Sequence, residues 1–280
     1  MAPTLYRGSR PATAHHDRAR DWAEIQERML VPLYDTVHDR LDVGPGTGLL
    51  ALNCGSGLAL LLAAARGAAV TGYDADPDRL RLAGERLAGP KRPGTLPRGA
   101  RTTAAPPSLR AGAPGTQDLR AGGHNVVTAL DPATPADELR PALAAVAAVT
   151  RPGSVVVLAG WGPPERCSAA RVLKVATRLA EPRGPAAPAP RLSGRDDLED
   201  LARGAGLRPD GSGRVSCPFG YQNQASAVRG LLSTGLFDPA VAATDKQQVE
   251  KEVAEALHPY RRPDGTVRME NVFRYLIARV

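Results

Sequence analysis

Apolar positions near the start of the chain recur at intervals of three and four: Trp22, Ile25, Met29, Leu30, Leu33, Val37 and Leu41. That is helix spacing, and Pro32 interrupts it, so the pattern predicts two consecutive helices between Asp17 and Leu41. Gly44 to Gly48 breaks the periodicity. The short apolar run Leu49 to Leu52 reads as a strand and leads into Asn53-Cys-Gly-Ser-Gly57. Leu58 to Arg66 is an apolar helix closed by Gly67, and Ala68 to Tyr73 is a second strand ending on Asp74. Farther on, Asn125–Leu130 and Ser154–Gly160 read as strands, and Ala136–Val149 and Ser168–Ala180 as helices. Ser193 and Asp196 have the spacing of an N-cap opening a helix that reaches Gly204 or Gly206. A strand near Arg214–Cys217, helices over 222–236 and 245–257, and a terminal strand Val267–Ile277 complete the pattern. Alternating strands and helices over this length predict an α/β fold, a mostly parallel sheet in three layers.

Composition narrows the picture. The chain of 280 residues is 42% hydrophobic and 23% charged, enough for a core and suited to a single domain. No apolar run is longer than the eight residues of Leu58 to Ala65, far too short to cross a bilayer. The first residues carry no apolar stretch of the secretion-signal kind, and Cys54, Cys167 and Cys217 are scattered. The expectation is a soluble, cytoplasmic protein without disulfides. Of the formal net charge of +7, a surplus of six lies between Arg86 and Gly123, where seven basic residues face only Asp118. Six prolines and seven glycines share that window, so it reads as a solvated basic loop and not as a charged face for nucleic acid. Aromatic residues, at 4%, are too few for stacking along a single strand. The organisation expected is a flexible N-terminus over residues 1–16 and one domain over 17–280. Within it lie a helical cap (17–44), the basic loop (86–123) and a helical lid (218–262).

Two glycine motifs compete for a nucleotide. Asp42-Val-Gly44-Pro-Gly46-Thr-Gly48 has the better spacing but follows a helix and leads into a strand, so it reads as a connector. Ala51-Leu-Asn53-Cys-Gly55-Ser-Gly57 follows a strand, opens a helix and lies 17 residues before Asp74. That order places backbone N–H groups and a carboxylate at one edge of the sheet, where an adenosyl ligand is bound in such folds.

The segment Leu49–Asp76, the strand Asn125–Thr128, the turn Arg151-Pro-Gly153, Trp161-Gly-Pro-Pro-Glu165 and the end Asn271–Ile277 resemble class I S-adenosylmethionine-dependent methyltransferases. More narrowly, they are similar to the small-molecule type of actinomycete natural-product metabolism. The resemblance covers about residues 20–280. It implies a Rossmann-like methyltransferase fold: a seven-stranded sheet with an antiparallel last strand and a helical cap. The cofactor it implies is S-adenosylmethionine, held by Asn53, Cys54, Gly55, Ser56, Gly57, Asp74 and Ala75. Several positions depart from the family pattern. Ala51 stands where an acid is usual, Asn53 replaces the first loop glycine, Gly115 replaces the acid after the third strand, and Asn125 replaces the acid opening the fourth. Each lost charge-assisted hydrogen bond costs about 1.5–3 kcal/mol, so the cofactor chemistry is open to loss.

Candidates for chemistry are few. Asp131 closes the fourth strand, at the edge where α/β sheets bind ligands, and could equally be a turn residue before Pro132. Tyr221, with Gln222, could line a pocket or the surface, and His258 near Tyr260 could serve acid–base work or be a solvated helix end. Trp22 and Trp161 read as packing aromatics before a sulfonium cage, and Cys54 as packing before a nucleophile. No histidine pair has metal spacing, so no metal is expected. The function expected is methyl transfer from S-adenosylmethionine to a small molecule in specialised metabolism. The alternative is a methyltransferase fold repurposed for cyclisation or rearrangement, or as a non-catalytic partner. Neither nucleic acid nor membrane is expected as a partner, and a homodimer stays open.

Overall fold

The computed structural model describes residues 12–89, 105–121, 123–180 and 194–280. Helix α1 (Ala12–Asp21) runs through a π-helical turn (Trp22–Gln26) and a 3-10 turn (Glu27–Leu30) into α2 (Val31–Arg40). α1 therefore begins inside the stretch expected to be a flexible N-terminus. Pro32 sits in the first turn of α2, where its missing N–H breaks no helical bond, and this is why the break falls there. From Trp22 to Leu30 only Glu24 and Arg28 are exposed. So broad a buried surface does not fit one face of a regular helix, and the turn widens and then tightens to accommodate it.

The remaining elements are β1 (Gly48–Leu52), α3 (Leu58–Ala65), β2 (Ala69–Asp74), α4 (Pro77–Ala88), β3 (Ser108–Ala111), α5 (Thr116–Ala121) and β4 (Val126–Ala129). They continue with α6 (Ala136–Val149), β5 (Val155–Trp161), α7 (Ala169–Ala180), α8 (Asp197–Gly204), β6 (Arg208–Ser216) and β7 (Phe219–Tyr221). Then come α9 (Gln224–Ser233), α10 (Asp238–Ala243), α11 (Lys246–Ala256), β8 (Val267–Met269) and β9 (Val272–Arg279). Seven strands form one sheet in the order β3-β2-β1-β4-β5-β9-β6, and β7 pairs with β8 apart from it. β1 to β5 run parallel, and β9 lies antiparallel between β5 and β6.

Alternate residues face opposite layers. Leu50, Leu52, Val127, Val156 and Leu158 pack with α6 and α8. Leu49, Ala51 and Val70 pack with α3, while Val157, Ala159 and Trp161 join a larger cluster with α2, α7 and the segment 219–257. Both faces of the central strands are thus apolar, as covered parallel sheets require. Among the described residues no helix is long and apolar enough to cross a membrane.

Four expectations change. The window 86–123 is not one loop: it holds the end of α4, the strand β3 and the helix α5, while 90–104 and 122 lie outside the described residues. The terminal strand 267–277 is two strands, because Asn271 turns inward between them, accepting from Ala169 N (3.0 Å) and donating to Met269 O (3.3 Å). The helix 222–236 ends at Ser233, and the strand near 214–217 begins at Arg208. Ser193 lies outside the described residues, and Asp196 precedes α8.

Candidate functional site

The strand order reverses between β1 and β4, which opens a crevice at their carboxyl ends. Asn53 follows β1 with a left-handed φ of 50°, a conformation that costs a non-glycine residue of order 1 kcal/mol. Its amide Nδ2 donates to Thr134 Oγ1 at 3.1 Å, spanning the crevice. Asp74 ends β2, and its two carboxylate oxygens accept from Gly55 N (2.8 Å) and Asp76 N (2.9 Å). Burial raises its pKa above the ordinary aspartate value, against these bonds and the charge of Arg79. Asp76 caps α4 by accepting from Asp78 N (2.9 Å) and Arg79 N (3.2 Å), so the cap fixes where Arg79 leaves the helix.

Arg79 ties the edge together. Its guanidinium lies 4.5 Å over the Trp22 ring, donates to Ser233 O at 3.1 Å and stands 3.7 Å from Asp131. Asp131 also accepts from Ala133 N at 2.9 Å. Burial nevertheless dominates, pushing its carboxyl up to about 6. Asn53, Asp74, Arg79 and Asp131 line a cavity of about 630 Å³, together with Thr234, Gly235, Leu236 and Pro239. Among the described residues five carboxylates line it (Asp74, Asp76, Asp131, Glu138 and Asp238) against Arg18 and Arg79, and Arg18 donates to Asp238 at 2.8 Å. A smaller hollow of about 220 Å³ shares Arg18 and Asp238 but opens among α1, α9 and α10, away from the sheet edge.

The glycine loop is arranged differently. Its residues Cys54, Gly55, Ser56 and Gly57 do not line the cavity, whereas Asn53, Asp74 and Ala75 do. Cys54 is buried, and burial raises its thiol far above the usual range, so it is a packing residue. A Cβ on Gly55 would come within 2.9 Å of both Trp22 Nε1 and Glu27 Oε1, and one on Gly57 within 2.8 Å of Ala83 Cβ. The open side of the loop is occupied by the chain's own N-terminal segment. Of the residues that the resemblance assigns to S-adenosylmethionine, only Asn53, Asp74 and Ala75 line the cavity, while Gly55 and Ser56 are packed against Trp22 and Glu27. The cofactor does not fit as a whole.

Other sequence candidates separate. Asp131 lies in the cavity. Tyr221 is buried with Phe219, donates to Gln26 Oε1 at 2.9 Å and does not line the cavity; Gln222 is exposed beside it. His258 is exposed on a separate shallow hollow with Gln224 and Lys251. Trp161 packs against Phe273 and Phe219. Asn125 lies at the amino edge of the sheet, where Oδ1 accepts from Gly48 N at 2.9 Å, so its identity does not bear on the ligand edge. Ala51 is buried inside β1. Among the described residues no group of His, Cys, Asp and Glu is placed to hold a metal ion. Sequence reasoning missed Glu27, Arg79 and Arg86. Glu27 falls inside an apolar helical stretch, the only signal it gives; the two arginines look like any solvated helix residues.

No protein-family model and no curated protein matches the chain. Solved structures do. A putative methyltransferase from Bacillus halodurans is 13% identical with a TM-score of 0.52, over 87% of this chain and 97% of that one. The [4+2]-cyclase SpnF is 17% identical with a TM-score of 0.50, over 88% of this chain and 79% of that one. The cyclopropane synthase MmaA2 from Mycobacterium tuberculosis is 14% identical, also at 0.50, over 89% and 83%. The architecture of this chain is the Rossmann-like fold of class I S-adenosylmethionine-dependent methyltransferases, a fold those structures share across different chemistries.

Proposed function

We propose that this chain is a small-molecule enzyme on a methyltransferase fold that works by proton transfer at Asp131 and transfers no methyl group. One observation supports the reading: the sheet edge keeps a cavity into which Asp131 is held beside Arg79, while the glycine loop is packed from within by Trp22 and Glu27. A carboxyl titrating at about 6 is mostly ionised at neutral pH yet takes a proton readily, which suits a general base. Arg79 holds Asp131 in place and balances its charge. The excess of carboxylates over arginines favours a ligand bearing positive charge or several hydroxyls. Cyclisation or rearrangement of a polar intermediate needs little more than such a shaped pocket and a base.

A second reading, methyl transfer, draws support from Asn53, Asp74 and Ala75, which line the cavity where the resemblance places ribose. Calorimetric titration separates the two. No heat with S-adenosylmethionine or S-adenosylhomocysteine at about 1 mM is expected, a weak-binding limit of roughly −4 kcal/mol. Micromolar binding, with labelled methyl appearing on a component of a cell extract, would replace the first reading with the second.

A further inference from the structure

The buried contacts of Glu27 go beyond what a lone ion pair needs. Its Oε1 accepts from Ser56 N (3.1 Å) and Leu58 N (3.4 Å), the N–H groups at the start of α3. Its Oε2 accepts from Ser56 Oγ and from Arg86 Nη1, the latter at 2.6 Å. Arg86 Nη1 also reaches Ser56 O (2.8 Å) and Ser56 Oγ (3.1 Å), and Nη2 reaches Ala23 O (3.3 Å). Glu27 is 1% exposed and Ser56 fully buried. Beside them the indole Nε1 of Trp22 is buried without a partner among the described residues, 2.9 Å from where a Gly55 Cβ would stand. Backbone amides at a helix start, a hydroxyl and a guanidinium converging on one carboxylate make an anion nest.

We infer that the glycine loop of this protein is a carboxylate-binding site whose resident ligand is its own Glu27, so that removing that side chain uncovers a site for small monocarboxylates. The tether explains why a free ligand does not compete. An intramolecular group meets its site at an effective concentration above that of most metabolites, and here it adds a half-buried arginine partner. The erosion of the motif then has a physical sense. With an internal carboxylate in place, Asn53 and Ala51 are free of ligand constraint, while Gly55 and Gly57 are still needed for close approach of Trp22, Glu27 and Ala83. The proposed reaction at Asp131 shares the filled loop as a premise, but not the loop's power to bind a carboxylate added from outside.

Chemical rescue tests it. Glu27→Ala should melt about 10 °C below the wild type. Formate or acetate at about 100 mM should return about 3 °C of that loss, while equal chloride returns little and the wild type does not respond to the carboxylate beyond its response to chloride. A formate gain no larger than the chloride gain would overturn the inference. Should the alanine variant fail to fold, Glu27→Gln keeps the volume and loses the charge. It should be destabilised and blind to formate, because the space remains filled. Wild-type stability in Glu27→Gln, or rescue of it by formate, would show that the loop does not hold a carboxylate as such.

Discussion

At the scale of single residues, two titratable groups, the largely buried Asp131 and the fully buried His38, push stability in opposite directions with pH. Asp131 has its folded pKa raised to about 6, so between the ordinary aspartate value and that point the folded state holds the extra proton. Stability from this group is greatest in acid and falls as pH rises toward 6, because ionisation in a buried site is the costly step. Asp131→Asn keeps the acceptor for Ala133 N and removes that cost. It should stabilise the protein by about 1–3 kcal/mol at pH 7.5, with the gain vanishing near pH 4. His38 is the mirror case: fully buried, without a partner on either ring nitrogen among the described residues, its pKa lowered to about 4 by burial first and Arg66 second. Its neutral form is the one the fold accepts, so stability is lost as pH falls below 6.5 toward 4. His38→Leu should stabilise by about 1–3 kcal/mol at neutral pH, and more in acid. Urea denaturation of both variants from pH 4 to 8 checks the pair. Equal gains at every pH in either variant would mean that its effect is packing and not titration.

At the scale of elements, the glycine loop is a joint between β1, α3 and α4. Gly57 combines a φ of 77° with a Cβ position 2.8 Å from Ala83 Cβ on α4. Gly57→Ala should cost about 2–4 kcal/mol, the left-handed strain plus the overlap. Ala83→Gly added to it removes the nearest atom of the overlap but brings about 1 kcal/mol of its own as a helix-interior glycine, so the double variant is read against Ala83→Gly alone and should lie roughly 1–2 kcal/mol below it; thermal melts of the two singles and the double measure the split. Full recovery would assign the whole cost to packing. These elements were legible in the sequence because each is one apolar run with its own terminator: Leu49–Leu52 before Asn53, Leu58–Arg66 before Gly67, Ala68–Tyr73 before Asp74. β3 was not legible, since two of its four residues are exposed and none is fully buried. The 22–30 stretch kept its helical period, but its buried Glu27 left no mark that periodicity can read. Asp131 could be found from its place at a strand end. Arg79, which holds it, could not, because an arginine two residues past Pro77 looks the same whether it meets water, Trp22 or Asp131.

At the scale of the whole molecule, the N-terminal segment both roofs the sheet edge and fills the loop beneath it. Asp21 accepts from Arg229 (2.6 Å) and Gln26 from Tyr221, which ties the segment to the 219–257 unit. Arg86 and Arg79 tie it to α4. The two tryptophans of the chain sit at useful places for testing that closure. Trp161 is 6% exposed in an aromatic cluster, and its Nε1 has no partner among the described residues, so Trp161→Phe forfeits no hydrogen bond to them and should cost less than about 1.5 kcal/mol. The variant leaves Trp22, 2% exposed beneath Arg79, as the sole indole. Its emission should be that of a buried indole, with acrylamide quenching far below that of free tryptophan amide. Arg86→Ala in the same background removes the one cation at the Glu27 carboxylate among the described residues and leaves it the neutral donors of Ser56 and Leu58, a destabilisation of about 3 kcal/mol. The cheapest relief for that charge is to carry the segment out toward water, so quenching of Trp22 should rise well before global unfolding. If quenching stays low while stability falls, apolar contacts alone hold the segment down. If it is already high in the Trp161→Phe protein, the edge stands open in solution and the loop is free to meet a ligand.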